Sequence, residues 1–461
     1  MTLPAHPSPR PLLLALLAAL ACRPEPTAPA AAAVPTTDRA PSSGAPGVIV
    51  LAGGGTEGNP NDTQAWSYRL YRHLVLNGDV TGDGVVSVAV VSRFHETAFI
   101  PNYFHFIGKT LDVKVDAANY EVATVAAAND PAIVAAIGAS DAVFIKGGDQ
   151  GQYYDLWNGT LLEEEIRRVA ARGGALGGTS AGAMSLAQYC LCSGQDYVSA
   201  DVLSDAKTPY LDDLSHPATS GIHADFLPYV ANTTIDTHLT ERGRLGRMLG
   251  TLAKATDDFN DRGILAVGIE RTTGLVVRGG VAEVVGDGEV AFVRQTAATT
   301  RIRDAGRPLV YTHLREDRLT EGWRFDLTAR DVLAGALPSG VTPVRYAGDG
   351  PPNAGALTVD GGAEGGNASF ELVASYTPDD YALSTTTAAP FVRQAVGFTN
   401  AQSSSTRGSK HETLFRALYD RPDAVGMLLF AGGRVEREAA APDRAAFAGA
   451  SATVVIDAKG S

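Results

Sequence analysis

Gly178, Ser180 and Gly182 form a G-x-S-x-G pattern inside the run Gly177-Gly178-Thr179-Ser180-Ala181-Gly182-Ala183-Met184. A short apolar segment, Ala175-Leu176, leads into the glycines, and a helix-compatible stretch from Met184 to Tyr189 follows. In such a strand-to-helix turn the glycines tolerate the tight bend and the serine hydroxyl stands clear of the backbone. Free N–H groups at the start of the next helix face the same spot and suit an oxyanion. The chemistry served is nucleophilic attack on a carbonyl. The same small residues would also suit tight packing alone, so the flanking segments decide.

A serine hydroxyl is a weak nucleophile at neutral pH and needs a base, itself held by a third group. The segment Asp236-Thr237-His238-Leu239-Thr240-Glu241-Arg242-Gly243-Arg244-Leu245-Gly246-Arg247 offers one. His238 follows a strand-like Asn232 to Ile235 and precedes a helix expected to begin near Arg242. On that helix Arg244 and Arg247 share a face, with Arg242 at the entrance. Three guanidinium groups on first turns oppose the helix dipole, a cost that an anionic ligand relieves. The plainer reading is a solvated basic face paired with carboxylates such as Glu241.

The elements that must position these groups alternate along the chain. Val48 to Leu51 is an apolar strand ending in Ala52-Gly53-Gly54-Gly55, and Asp62 can cap a helix over Thr63 to Leu76. Val85 to Val91 is a second buried strand, Asp130-Pro131 opens a helix through Ile137, and Ala142 to Lys146 is a third strand. That strand ends at Gly147-Gly148-Asp149-Gln150; Leu156 to Arg172 is helical, and the serine's strand follows. This order predicts an α/β fold with a mostly parallel sheet and helices on both faces. Loops at the carboxyl ends of such strands are where ligands bind, and both Gly147-Gly148 and Ser180 fall there.

Three separated motifs now carry a resemblance. Gly147-Gly148-Asp149-Gln150, then Gly178-Thr179-Ser180-Ala181-Gly182-Ala183, then Asp236-Thr237-His238 with Arg242-Gly243-Arg244-Leu245-Gly246-Arg247 resemble, in that order, the cyanophycinase family. These are serine exopeptidases related to dipeptidase E, with a class I glutamine-amidotransferase-like fold, and the likeness spans about Val48 to Arg330. It implies Ser180 as nucleophile, His238 as general base, and the N–H groups of Gly148 and Ala181 as oxyanion hole. Gln150, Arg242, Arg244 and Arg247 resemble groups that hold the substrate. In the family an acid follows a strand ending Gly-Ile, usually as an Asp-Glu pair. Here Gly268-Ile269 is followed by Glu270 and then Arg271-Thr272-Thr273, so Glu270 is the expected third member and Arg271 stands where an orienting glutamate is usual. Asp236 and Asp225 are the fallbacks. The implied reaction is hydrolysis of cyanophycin, a poly-aspartate carrying arginine on each β-carboxyl, or of related β-aspartyl peptides. No cofactor and no metal are expected.

Length and charge bound the rest. The chain has 461 residues and a net charge of −13, which argues against a general affinity for nucleic acid. No span from residue 48 onward is apolar for the length a transmembrane helix requires. At the N-terminus Arg10 precedes an apolar run from Leu12 to Ala21, the layout of a secretory signal. Ending on Ala19-Leu20-Ala21-Cys22, it resembles a bacterial lipoprotein signal over residues 1–22 with Cys22 as lipidation site; a plain secretory peptide is the alternative. The expectation is export, with membrane contact only through that anchor. Residues 23–47, rich in Pro and Ala, read as a disordered tether, 48–331 as the catalytic domain, and 332–461 as a small β-rich accessory region. Strands are expected there at Ser369 to Ser375, Met427 to Phe430 and Ala452 to Ile456. The sequence leaves a homodimer open.

Two further features are read as structural. Cys190 and Cys192, one residue apart, make a poor disulfide and are read as small buried residues. Asp79-Val80-Thr81-Gly82-Asp83-Gly84 resembles half a calcium loop, but the twelfth position is Val90, so a tight turn explains it better. Two rival functions stay open. An esterase on an α/β-hydrolase fold would take its base late in the chain, at His313 or His411. A surface lipoprotein that only binds would keep the fold without the chemistry.

Overall fold

A computed structural model describes residues 44–333, apart from 96, 193–196, 213–220, 240 and 308, and beyond them the backbone of eight short strands. The expected signal, Cys22 and all but the end of the tether lie outside the described residues, as does His411. The first half of the chain runs β1 (Val48–Ala52), α1 (Trp66–Val75), β2 (Val86–Ser92), α2 (Phe99–Leu111), β3 (Val115–Glu121), α3 (Val125–Ala128), α4 (Pro131–Gly138) and β4 (Ala142–Ile145). It continues with α5 (Gln150–Trp157), α6 (Leu161–Ala171), β5 (Ala175–Thr179), α7 (Ala181–Met184), β6 (Cys190–Leu191), α8 (Ser199–Ser204), α9 (Pro209–Asp212) and β7 (Ile222–His223). Then come β8 (Thr233–Thr237), α10 (Leu245–Phe259), β9 (Leu265–Ile269), β10 (Thr273–Arg278), β11 (Val281–Gly286), β12 (Glu289–Ile302), β13 (Val310–Thr320), β14 (Arg324–Asp326) and β15 (Asp331–Val332).

The α/β class is as expected. A nine-stranded sheet runs β15-β14-β11-β10-β1-β5-β4-β2-β3, and its half from β1 to β3 is parallel. The other half is antiparallel, starting where β10 pairs with β1. β1 shows why helices cover both faces. Its side chains alternate, so Val48, Val50 and Ala52 pack with α1 and α2 while Ile49 and Leu51 join the opposite core with α6. Each such buried valine, leucine or isoleucine contributes about 1.5–3 kcal/mol.

A second sheet, β13-β12-β9-β8, is separate from the first. Its β8 and β9 are parallel, with Asp236 opposite Gly268 and Thr237 opposite Ile269. The two sheets therefore deliver the two halves of the site: Ser180 follows β5 in the large sheet, and His238 follows β8 in the small one. No helix of the described residues is long and apolar enough to cross a membrane.

Several local expectations are corrected. Asp62 accepts from the Gln64 N–H in a turn ahead of α1, whose cap position is Ala65. Asp130 does cap α4, accepting from the N–H groups of Ala132 and Ile133. The single helix expected from Leu156 to Arg172 is two, broken at Asn158-Gly159, where Gly159 has φ +69°. Asp79 organises a tight turn, accepting from the N–H groups of Gly82 and Gly84. Of the C-terminal strands expected, two form at Val425–Leu429 and Thr453–Asp457, while the one expected at Ser369 to Ser375 lies outside the described residues but for Ser375; among the described residues the region holds six more short strands.

The cysteine expectation was wrong. Cys190 and Cys192 are joined in a disulfide, with their Cα atoms 5.3 Å apart. Two residues of extended strand span about 6.6 Å, near the upper limit for a disulfide, and the shorter separation here means that the chain is bent at Leu191. Both side chains are buried, as expected.

Candidate active site

Ser180 sits at the carboxyl end of β5, between the parallel neighbours β1 and β4, at φ 53° and ψ −121°. A non-glycine residue with positive φ is held there only by its surroundings. Here the surroundings are specific: the Ser180 N–H donates to the Ala52 carbonyl at 3.0 Å, and Met184 N–H donates back to the Ser180 carbonyl at 3.1 Å. Gly182 lets the turn close, since a Cβ there would stand 2.1 Å from the Ile145 carbonyl oxygen of β4. The hydroxyl is thereby presented at the rim of the sheet.

His238 comes to it from the other sheet. Its N–H donates to the Gly53 carbonyl at 3.0 Å, which ties the end of β8 to the end of β1. At φ 52° the residue leaves the extended conformation, so its ring no longer follows the strand's alternation. The ring Nε2 lies 3.0 Å from Ser180 Oγ, and only 5% of the residue is exposed. Gly54, at φ +97°, makes room for the imidazole: a Cβ on it would be 2.2 Å from Nε2.

The third member is Glu241, which sequence reasoning weighed only as a partner for arginines. His238 Nδ1 is 2.8 Å from Glu241 Oε2. The chain turns back on itself here, with Arg242 N–H donating to the His238 carbonyl at 3.1 Å, so residues three apart meet. The spacing His-x-x-Glu was the available signal.

Glu270, expected in that role, is not at the histidine. It follows β9 directly, beside His238 in register, but its side chain lies against Gly288 and faces Arg318 of β13, with an oxygen 3.7 Å from the guanidinium. Arg318 is buried among Glu270, Glu289 and Glu316, and its charge holds that carboxylate there. The fallbacks are engaged too. Asp225 accepts from the Tyr154 hydroxyl and the Asn158 amide, both at 3.3 Å, and Asp236 pairs with Arg247.

Electrostatics fix the tautomer. Burial pulls His238 down from the ordinary 6.5 to about 4; the neighbouring charges of Arg242 and Arg244 add to this, and the Glu241 hydrogen bond opposes it. Partial burial pushes Glu241 upward, but the hydrogen bond from His238 and the charges of His238, Arg242 and Arg271 outweigh it and hold the carboxyl below its ordinary value. At neutral pH the pair is therefore a neutral imidazole beside a carboxylate. An ionised carboxylate only accepts, so Nδ1 carries the proton and donates to Glu241, leaving Nε2 to accept from the serine hydroxyl. That is the arrangement a general base requires.

The arginines divide. α10 begins at Leu245, later than expected, so Arg242 lies before it and is exposed. Arg247 is buried and spent on Asp236, with Nε 2.8 Å from Oδ2 and Nη2 2.5 Å from Oδ1; the ligand-facing role expected of it is not met. Arg244 donates to the Thr237 carbonyl at 2.8 Å and reaches Asp236 only at 3.5 Å. Burial, with Arg247 and Arg242 nearby, lowers it to about 9, so this guanidinium is poorly compensated.

Gln150 opens α5 and donates its amide to the Leu191 carbonyl at 2.9 Å, linking the Gly147-Gly148 loop to the disulfide segment. Gly147 packs on the serine, a Cβ there lying 3.2 Å from Ser180 Cβ, and the Tyr153 hydroxyl pins the loop by donating to the Gly147 carbonyl at 2.8 Å. Ala181 is the first residue of α7, where N–H groups have no partner within the helix. Of the bases an esterase would use, His313 lies on β13 in the small sheet, while the serine's hydroxyl already meets His238.

The sequence model of peptidase family S51 matches residues 95–203, a span that includes Gly147 to Gln150 and Ser180 and ends before His238. This supports the resemblance read from the three motifs, to serine peptidases related to dipeptidase E. Among solved structures, a peptidase from an acI-B1 Actinobacterium is 18% identical with a TM-score of 0.39, the match covering 60% of this chain and 96% of that one. A candidate peptidase E from Listeria monocytogenes EGD-e is 13% identical with a TM-score of 0.32, covering 52% and 98%. No curated protein matches the chain.

Proposed function

We propose that the chain is an exported serine exopeptidase that cleaves β-aspartyl peptides, cyanophycin among them, through an acyl-enzyme. One observation carries the reading: Ser180 Oγ, His238 and Glu241 form a continuous hydrogen-bonded line, 3.0 Å and 2.8 Å between successive partners. His238 takes the hydroxyl proton as Ser180 Oγ attacks the carbonyl carbon. Glu241 holds Nδ1–H and stabilises the imidazolium that results. The N–H groups of Gly148 and Ala181 receive the oxyanion. His238 then returns the proton to the leaving amine, and water repeats the sequence on the acyl-enzyme.

Support for an acidic substrate comes from the cations beside the site. Arg242 is exposed and Arg244 poorly compensated, and a substrate carboxylate is the natural bidentate partner of a guanidinium. Support for export comes from the apolar run Leu12 to Ala21 and Cys22 after it, with lipidation of Cys22 as anchor. The Cys190–Cys192 disulfide fits an oxidising compartment.

Incubating the purified chain with cyanophycin and reading the soluble products by mass spectrometry tests the proposal. The expected products are β-aspartyl-arginine dipeptides that vanish in Ser180→Ala. Cleavage of simple β-aspartyl dipeptides alone narrows the substrate to those. Dipeptides that persist in Ser180→Ala sink the mechanism.

A further inference from the structure

Arg271 stands where the resemblance sets an acid, yet its guanidinium is at the site. Nη1 lies 3.9 Å from Glu241 Oε1, while the other oxygen, Oε2, takes His238. One carboxylate is thus held from both sides, by the imidazole through one oxygen and by a cation near the other. The frame that holds the two partners is shared. His238 donates its N–H to Gly53 O at 3.0 Å, and the Arg271 carbonyl accepts from Gly55 N–H at 2.6 Å. The glycine run after β1 therefore fixes the backbone on both sides of Glu241, and a change in the carboxylate's rotamer would break with both.

We infer that Arg271 is a positioning residue, which keeps the Glu241 carboxylate turned toward His238 Nδ1. The inference rests on the hydrolase reading of Ser180, His238 and Glu241. The charged groups facing Glu241 are His238, Arg242 and Arg271; Arg244 also feels the carboxylate's charge, but its hydrogen bonds go to the Thr237 carbonyl and Asp236. Arg242, exposed and next to Glu241 in the chain, also bears on the carboxylate; Arg271 is the cation that approaches it from another element. The Arg271 side chain is 55% exposed, which keeps the interaction modest.

The probe is an alkyl fluorophosphonate, which reports nucleophile activation whatever the natural substrate. In the full chain, Arg271→Ala should lower the maximal labelling rate of Ser180 about two- to fivefold with the probe's half-saturation unchanged. Arg271→Lys should restore most of it. In a Glu241→Gln background, Arg271→Ala should change nothing further, because the group it acts through is gone. An equal loss in both backgrounds, or a loss confined to half-saturation, makes Arg271 a ligand contact and overturns the inference while the hydrolase stands. No loss in either background overturns it as well. If Ser180 of the unsubstituted chain takes no label at all, the hydrolase reading fails first and the inference falls with it.

Discussion

Glu241 accepts from His238 across three residues of the same turn, so base and orienting acid arrive at the serine as one piece. Ser180 comes from the large sheet and this piece from the small one, and the only backbone hydrogen bond of His238 to the large sheet is to Gly53 among the described residues. The geometry of the site thus depends on a few contacts at the end of β1. Glu270 is beside His238 in register, and its carboxylate is drawn off by Arg318.

Exchanging the two glutamates separates these roles. Glu241→Gln keeps the shape but removes the charge that fixes the tautomer and steadies the imidazolium. A loss of about 10²- to 10⁴-fold in hydrolysis or in fluorophosphonate labelling is expected, by comparison with the serine-protease triad. Glu270→Gln should stay within about threefold of the parent, since Arg318 keeps Glu289 and Glu316. A collapse of labelling in Glu270→Gln with little change in Glu241→Gln would reverse the assignment.

The pH dependence follows from His238. The base must be neutral to accept the serine proton, and burial holds its pKa down at about 4, against 6.5 for an ordinary histidine. Protonation below that pKa removes the acceptor at Nε2. The rate of Ser180 labelling should therefore stay level as pH falls through 6.5 and drop only as it approaches about 4. A half-maximal rate at or above pH 6.5 would mean that the imidazole is solvated and that the buried geometry is not the one that reacts.

How much of this the sequence carried depends on how local the cause is. The turn at Ser180 was legible because glycines at set spacing leave the backbone few options, and Gly182 is needed within van der Waals reach of β4. The pairing of Ser180 with His238 was legible from motif order. Glu241 was not: the i, i+3 spacing allows a carboxylate to meet either the histidine or an arginine, and only the positive φ at His238 settles which. The direction of Glu270 is decided by Arg318, far along the chain on β13, which no local pattern discloses. The arginines misled for the same reason. Arg247 reads as a free cation at a helix start until Asp236 of β8 is seen beneath it.

That buried pair yields a stability prediction. Asp236 is 2% exposed and Arg247 7%, and their contact is bidentate. Two charges so placed lose their hydration, and mutual attraction with the added bonds offsets the cost. Removing one partner leaves the other buried and uncompensated. Asp236→Ala should therefore lower unfolding free energy by about 3–5 kcal/mol, read from urea denaturation. The double change Asp236→Leu with Arg247→Met, which removes both charges of the pair at similar volume, should recover part of the loss, the rest being the weaker contact of Arg244 with Asp236. Because Asp236 lies two residues before His238, the double variant also shows whether the pair serves only the scaffold. Labelling of Ser180 at close to the parent rate is the expected result. If Asp236→Ala unfolds at the same urea concentration as the parent, Arg247 is not bound up in the scaffold and returns as a group that can hold a substrate carboxylate.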